Sequence, residues 1–447
     1  IEDIQAFAPN LFINRTPGIA SGAAITIRGV ASLESDKSYE PSIGVVMDGM
    51  FLGTSSGVLL DNFDIERIEV LRGPQGTLFG KNTTGGILNV IRTPVSLTDL
   101  GVDASLTIGE FGRQDLKTVI QVPIIENQLG VKIFAASIEH DGHVYNTFLE
   151  KDAGGDDKLN YGFTTLWEPN DQFSLKFHYE IMEDKSEQGS YVNRNRVGEL
   201  ACTITQIGFD PRNGCEINAN DGPNTVESDG SNFSDNEYES MIVTANYDTE
   251  NFLYTYIYSN RDMDEQNMQD FDGSPARLLR MNFFNDWEQT SHEFRVTSQF
   301  SDKFQFIAGI YDWEADFAQR WNVYDLFYQL SRLGVPPWPF GRKGVAGYDD
   351  VDVWEDDVAG NNGQTQVTES IAVFASVDWF ITDQLTLTAG FRWTEEEKDF
   401  VGGASAPGYY PLRGEPWPGI YNPTSYSAKW DETTPKVGLR YQLNDDV

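Results

Sequence analysis

The sequence has few cysteines, few histidines and no long apolar run. Two cysteines and four histidines occur among 447 residues, which leaves little material for a disulfide framework or a His/Cys metal centre. Mean hydropathy is −0.40, and no stretch of 18 apolar residues is present, so a transmembrane helix is excluded. The sequence is still compatible with a membrane β-barrel, because each strand of a barrel needs only about ten residues that alternate between apolar and polar.

Basic residues are also scarce. The chain has 32 Lys and Arg against 69 Asp and Glu, a net charge of −37. Such a chain has little with which to neutralise phosphates, so nucleic acid is excluded as a partner. The acidity fits a bacterial outer surface, where divalent cations bridge carboxylates to anionic lipid. It fits an acidic secreted protein equally well.

Arrangements for catalysis or for a cofactor are missing too. No Ser-His-Asp or Cys-His set has a spacing that suggests catalysis, so we predict no enzyme, no cofactor and no metal site. The glycine-rich stretch 73–81 fails the phosphate-loop pattern, because Gln75 stands where glycine is required and Asn82 follows Lys81. Turns that need positive φ explain these glycines better.

Two regions with different patterns are present. Residues 1–97 are glycine-rich with short apolar segments and predict a small mixed α/β domain, held inside a larger structure. Within it, we expect 61–64 to cap a short helix that buries Ile65 and Ile68, with a strand starting at Val70. From about residue 101, long segments alternate between apolar and polar residues, as in Phe173, Leu175, Phe177, Tyr179 and Ile181 against Ser174, Lys176, His178 and Glu180.

The spacing of the connections distinguishes a barrel from a soluble sheet. Short turns are expected at 125–127, 168–171, 248–251, 301–302, 382–383 and 444–446. Long loops are expected at 141–157, 184–236, 264–286, 316–366 and 398–430. Strict alternation of short and long over about twelve strands is typical of outer-membrane barrels. The fold class predicted is mainly β, with an N-terminal α/β domain inside a large antiparallel transmembrane barrel.

The run from Asp64 to Gly80, continued by Gly85-Gly86 and Asn89-Val90-Ile91, closely resembles the plug signature of TonB-dependent outer-membrane receptors. Ile27-Arg28-Gly29 and Val46-Met47-Asp48-Gly49 resemble two earlier plug motifs, and 291–298 and 434–439 resemble barrel strands of that family. The residues that match the plug motifs are Arg28, Gly29, Asp48, Gly49, Glu66, Arg67, Glu69, Arg72, Gly73, Pro74, Gly76, Gly80, Gly85 and Gly86.

The resemblance implies a plug domain at 1–97, lacking its start, and the N-terminal half of a transmembrane barrel at 98–447, lacking its last strands. It implies an outer-membrane, multi-pass receptor that imports a scarce ligand, a ferric siderophore or other iron chelate. Expected partners are outer-membrane lipid and TonB with its inner-membrane energising complex, through a box outside this chain. The alternatives are import of an oligosaccharide or another large nutrient, and, in a different class, a passive porin or surface-binding barrel.

Three further sets of residues carry predictions. Arg28 and Arg72 are expected to seat the plug on the wall, with Glu293 as first partner and Arg295 beside it in the lumen; the alternative is that all four are simply solvated. Cys202 and Cys215 are expected to form a local disulfide. Aromatic residues of two long loops are expected either to form a ligand-binding mouth or to pack on one another and on lipid headgroups: Trp321, Tyr324, Tyr328, Trp338, Trp354, Tyr409, Tyr410 and Trp417.

Overall fold

A computed structural model shows a curved sheet wrapped around a small N-terminal region. It describes residues 2–16, 19–31, 36–58, 63–192, 224–228, 230, 232–274, 279–298, 301, 303–324, 358–405 and 420–443. Twelve antiparallel strands form one sheet, here called the wall, and residues up to 97 form the plug against its inward face. In the described residues, no helix is long and apolar enough to cross a membrane.

The wall strands follow one another along the chain, each paired with its predecessor. They are β8 (Gly101–Ile108), β9 (Gln114–Ile125), β10 (Leu129–His140), β13 (Asp156–Asn170), β14 (Phe173–Asp184), β16 (Phe233–Asp248), β17 (Phe252–Asp270), β18 (Arg280–Ser298), β19 (Phe304–Tyr324), β20 (Val358–Thr382), β21 (Leu385–Ser405) and β22 (Ile420–Tyr441). A separate three-stranded sheet joins β11 (Val144–Asn146), β12 (Lys151–Ala153) and β15 (Thr225–Val226). The prediction of about twelve strands in an antiparallel sheet is confirmed.

The connections show the two-ended asymmetry that the sequence predicts. Short ones span 126–128, 171–172, 249–251, 299–303 and 383–384, all at one end of the wall. At the other end, the prediction of strict alternation fails once, because the connection at 109–113 is short. The connections expected at 264–286, 316–366 and 398–430 span only 271–279, 325–357 and 406–419, because the strands on either side run further than predicted. Strands β17 to β22 have 19 to 25 residues. Since about ten residues cross a membrane, these strands extend well beyond it on the loop side.

The plug is built mainly from strands. They are β1 (Leu11–Thr16), β2 (Ile19–Ile27), β3 (Val30–Ala31), β4 (Ile43–Met47), β5 (Met50–Leu52), β6 (Ile65–Arg72) and β7 (Gly86–Arg92), with a 3-10 helix at Glu2–Ala6 and helix α1 at Gly76–Phe79. The predicted helix at Ile65 to Ile68 is wrong. Asp64 has a φ of +61° and cannot start a helix as a cap, and the segment pairs with β7 along its length. Its β-branched residues favour that pairing.

Two plug motifs are tight hairpin turns. Arg28 and Gly29 join β2 to β3 with φ values of +52° and +83°, and Asp48 and Gly49 join β4 to β5 with +48° and +95°. A two-residue turn with positive φ at both positions matches the right-handed twist of the strands it joins. The second position therefore favours glycine in both motifs.

The wall strands alternate as predicted between residues that face outward and residues that face the plug, and the inward set combines polar residues with buried apolar ones such as Trp287 and Trp313. Phe391 is 47% exposed while the next residue, Arg392, is 5% exposed, and Lys176, His178 and Glu180 point at the plug. The outward apolar band is followed, on the loop side, by an acidic belt in which carboxylates lie directly opposite one another on neighbouring strands. The pairs include Glu237 with Asp264, Glu239 with Asp262, Asp262 with Glu288, Glu288 with Asp316, and Glu369 with Glu397.

Candidate functional site: charged contacts between plug and wall

A closed ring of four charges joins the plug to β21. The Lys81 ammonium lies 2.9 Å from Glu40 of the plug and 2.9 Å from Glu396 of the wall. The Lys398 ammonium lies 2.9 Å from the same Glu40 oxygen and 3.4 Å from Glu396. Lys81 also sits 3.9 Å above the ring of Trp313 on β19. Each ion therefore has two partners of opposite sign, and each member of the plug contacts the wall.

The ring changes the acidity of its plug carboxylate. Burial on its own would raise the pKa of Glu40, but the ammonium groups of Lys81 and Lys398 outweigh burial and hold its pKa below the ordinary value. Glu40 is therefore ionised at neutral pH and attracts the wall lysine.

A second cluster joins the plug to β14. Arg92 at the end of β7 contacts Glu180 of the wall and lies 3.5 Å from Asp48 of the plug, which in turn lies 3.8 Å from Lys176 of the wall. Burial favours the neutral form of Asp48, but Lys176 and Arg92 overcome it and lower its pKa. Burial likewise works against the charge of Arg92, whose pKa is nevertheless raised by Glu180 and Asp48. Both plug ions thus stay charged although little exposed.

Neighbouring polar groups support the second cluster. The His178 ring stacks on Phe134 at 5.7 Å and lies 3.6 Å from Glu180. On β10, the Lys132 ammonium contacts the Asp64 carboxylate and donates to the backbone carbonyl of Thr93 at 2.6 Å. Strands β10 and β14 therefore hold the plug at Asp64, just before β6, and at Arg92 and Thr93, where β7 ends.

A third cluster lies at β17 and β18. The Lys37 ammonium is 3.3 Å from Glu265, whose carboxylate also accepts from Tyr238 at 2.6 Å and Asn285 at 2.7 Å. Both ions are buried and have lost most of their contact with water. The hydrogen bonds to Glu265 compensate for this loss, because a buried ion pair needs further polar partners. Separately, Arg261 donates to the carbonyl of Ser56 at 2.8 Å.

The plug backbone approaches the wall closely at Gly53. Its amide donates to Gln289 at 2.9 Å, and Gln289 donates back to the carbonyl of Phe51 at 2.6 Å. A Cβ at Gly53 would lie 2.7 Å from Trp287 and 2.8 Å from Trp313. A side chain at this position would therefore displace the plug from two large wall residues.

The expected seating by Arg28 and Arg72 is not what the structure shows. Both side chains are exposed, and among the described residues neither forms an ion pair. Arg28 lies in a two-residue turn, and the neighbouring Gly29 and Gly73 have no atom within 4 Å of an added Cβ, so these segments have open space beside them.

The predicted wall carboxylate instead has wall partners. Glu293 and Arg295 do face inward, as predicted, but they pair with each other at 3.3 Å. Sequence reasoning recognised that charges seat the plug and missed which ones do so. Two sequence features could have identified them. Lys81 is a charged residue among small residues, and Glu180 and Glu265 occupy inward positions of their strands.

The other motif residues shape the plug. Arg67 binds Glu66 at 2.9 Å and Glu69 at 2.8 Å on an exposed edge. The remaining motif residues, Gly73, Pro74, Gly76, Gly80, Gly85 and Gly86, lie in the segment that turns from β6 through α1 into β7. Positive φ at Gly73 and Gly80 agrees with the turn interpretation of that segment.

Most residues predicted for the mouth and the disulfide lie outside the described residues. These are Tyr328, Trp338, Trp354, Tyr409, Tyr410 and Trp417, together with Cys202 and Cys215. Trp321 is half-buried on β19 and Tyr324 ends that strand. In the described part of the chain, no cluster of three His, Cys, Asp or Glu residues could hold a metal ion.

Comparison with known families gives two matches that follow one another along the chain. The TonB-dependent Receptor Plug Domain matches residues 1–87, and the TonB dependent receptor-like beta-barrel matches residues 188–447. The second match alone covers more than half of the chain. The first match lies within the plug and the second within the wall.

Individual relatives are distant. The Pesticin receptor of Yersinia pestis is 21% identical over 84% of this chain and 47% of its own length, and the Rhizobactin receptor of Rhizobium meliloti (strain 1021) is 22% identical over 80% and 47%. This chain thus spans about half the length of the curated relatives that it matches. The ferric yersiniabactin uptake receptor FyuA from Yersinia pestis has a similar structure, with a TM-score of 0.73 and 17% identity over 99% of this chain and 60% of that one, a likeness that shows the fold.

Proposed function

Since the chain belongs to the family of TonB-dependent outer-membrane receptors, we propose that it is part of an importer that takes up a ferric siderophore or another iron chelate. Uptake is driven by TonB acting on the plug. The wall lies in the outer membrane, with its apolar band against lipid and its short turns toward the periplasm.

The observation that carries the proposal is the polar seating of the plug. Buried apolar residues of the wall, such as Ile257, Trp287 and Trp313, pack against the plug. Its contacts to β10, β14, β17 and β21 also include ion pairs and hydrogen bonds, each of which can be exchanged for water when the plug moves. Such contacts block the lumen at rest, yet they yield to a pull more readily than a continuous apolar interface would. A plug of this kind suits gated import and argues against an open passive porin.

The choice of cargo is supported by relatives. A rhizobactin receptor and a ferric yersiniabactin uptake receptor are among the similar proteins, as is the ferric-catecholate import receptor Fiu from E. coli K12. A vitamin B12 transporter of Vibrio vulnificus is also similar over 41% of this chain, so a nutrient without a siderophore is the rival cargo.

Growth of a deletion strain distinguishes the cargoes. We expect slow growth on iron-limited medium, restored by free iron and by the gene in trans, and normal growth on single sugars. Restored growth with one siderophore and not with others would identify the ligand. Normal growth on iron-limited medium, with failure to grow on one sugar or to use vitamin B12, would identify that nutrient as the cargo in place of an iron chelate.

A further inference from the structure

A cavity of about 480 Å³ separates the plug from the wall at the level of the Asp48-Gly49 turn and helix α1. Its wall side includes Asn246 and Thr255, which flank the short connection at 249–251. The cavity therefore lies toward the short-turn end of the wall, on the side where cargo would leave the lumen.

Arg392 of β21 lines this cavity and is 5% exposed. Its guanidinium carbon lies 5.6 Å from the ring centre of Tyr311 and 5.4 Å from that of Phe374. On the plug side, a Cβ at Gly80 would come within 2.8 Å of the guanidinium, so the absent side chain there makes room for it. Aromatic rings and a glycine thus fix the position of this cation.

The hydrogen bonding of Arg392 is incomplete for so buried a charge. Its Nε donates to the Thr394 hydroxyl at 3.1 Å, and among the described residues no carboxylate forms an ion pair with it. Glu293 attracts it from a greater distance and is itself bonded to Arg295. A buried guanidinium offers five N–H donors and is costly to leave without an anion.

The other charges around the cavity are already matched. Asp48 is shared by Arg92 and Lys176, and Glu293 is taken by Arg295. Three cations and two anions line the cavity, namely Lys176, Arg295 and Arg392 against Asp48 and Glu293. In a chain of net charge −37, this local excess of positive charge is unusual and favours an anion.

We propose that this cavity is an oxyanion site anchored by Arg392, and that it holds an anionic group of the cargo as the cargo passes below the plug. The planar guanidinium suits a carboxylate, phosphate or sulfate, which it can bind with two parallel hydrogen bonds. The aromatic rings on Arg392 exclude water from one side of the contact. The assignment of the anion to cargo rests on the proposed function, whereas the anion site itself does not.

Binding of inorganic phosphate to the purified receptor tests the site directly. Calorimetric titration at constant ionic strength should detect one phosphate per wild-type receptor. Loss of a hydrogen-bonded charged partner typically weakens binding by about tenfold or more, so Arg392→Gln should lose most of this affinity and Arg392→Lys should retain part of it. Lys303→Gln removes an exposed charge at a short connection of the same end of the wall and should bind as wild type does.

A second variant covers the case in which Arg392→Gln does not fold. Asn246→Asp is isosteric, and its neighbours are the hydroxyls of Ser174 and Thr255, which can adjust to a carboxylate. It adds a negative charge to the cavity wall and should also weaken phosphate binding. Wild-type receptor that binds no phosphate, or Asn246→Asp and a folded Arg392→Gln that bind it as wild type does, would overturn the site.

Uptake of radioactive ferric chelate distinguishes cargo from free phosphate as the natural ligand. Arg392→Gln should slow uptake while leaving chelate binding at the cell surface unchanged. Normal uptake by a variant that has lost phosphate binding would overturn the assignment to cargo and leave free phosphate as the ligand. If the wild-type receptor transports no iron chelate, the proposed function fails, and the phosphate titration still decides the site.

Discussion

The four-charge ring at β21 offers the sharpest test of how the plug is held. Lys81→Met removes the ammonium but keeps most of the apolar stem above Trp313, and Glu396→Gln removes the wall charge at nearly constant volume. We expect each single change to loosen the plug. Because the two side chains touch, the double change should loosen it by less than the sum of the two.

The exposure of the two side chains sets the size of the coupling energy between Lys81 and Glu396. Exposed pairs are worth under about 1 kcal/mol, and breaking a fully buried pair costs about 3–5 kcal/mol. The side chains of Lys81 and Glu396 are 17% and 16% exposed, which places them between these limits. Each retains a second partner in the ring, Glu40 for Lys81 and Lys398 for Glu396, so we expect a coupling energy of about 1–3 kcal/mol.

The assay is protease cleavage of the plug at increasing urea, which gives a free energy of plug release for each variant. The pair Lys429 and Glu395 is the matched control, since it joins β22 to β21 at 2.7 Å with side chains 54% and 36% exposed. Its coupling should stay below about 1 kcal/mol. Additive effects of Lys81→Met and Glu396→Gln, or equal coupling in both pairs, would refute the reasoning.

Four further outcomes are expected. Leu387→Arg on the outward face should cost roughly 2–4 kcal/mol, and Thr388→Arg on the inward face much less; equal costs in chemical unfolding would mean a wrong register. Glu288→Gln should stabilise the wall by roughly 0.2–1 kcal/mol, because Glu288 faces two carboxylates across its strand, and this gain should shrink at high salt. The pKa values of Glu40 and Asp48 are lowered on folding, so their contribution is present above the unfolded pKa, about 4, and lost as pH falls through the folded one; protease sensitivity of the plug should rise only in that acid range. Cys202 and Cys215, which lie outside the described residues, should give no free thiol in denatured, unreduced protein, and two titratable thiols would contradict the disulfide.

The wall could be predicted from sequence because its signal is local. Alternation such as that around Leu175 fixes which face a residue occupies, and the turn residues fix where each strand ends at the short-turn side. The loop-side ends were placed too early, because strands that leave the membrane keep alternating with polar residues on both faces. Nothing in a segment such as that around Asp399 marks where the lipid ends.

The plug–wall contacts could not be predicted, because they join residues separated by up to several hundred positions. Arg72 and Lys81 are equally plausible from sequence, and only the path of the backbone turns Lys81 toward Glu396 and leaves Arg72 exposed. The short helix was misplaced for a related reason. Ile65 and Ile68 have helical spacing, but pairing with β7 provides more hydrogen bonds than an isolated turn of helix, and tertiary context decides.

Energised import through a plugged barrel is the central claim, and the uptake of radioactive iron as a chelate tests it most directly. Cells that contain the receptor should accumulate iron with saturable kinetics, and a protonophore, which removes the gradient that drives TonB, should stop accumulation while surface binding persists. Accumulation that rises linearly with chelate concentration and continues with the protonophore would show a passive pore and contradict the account.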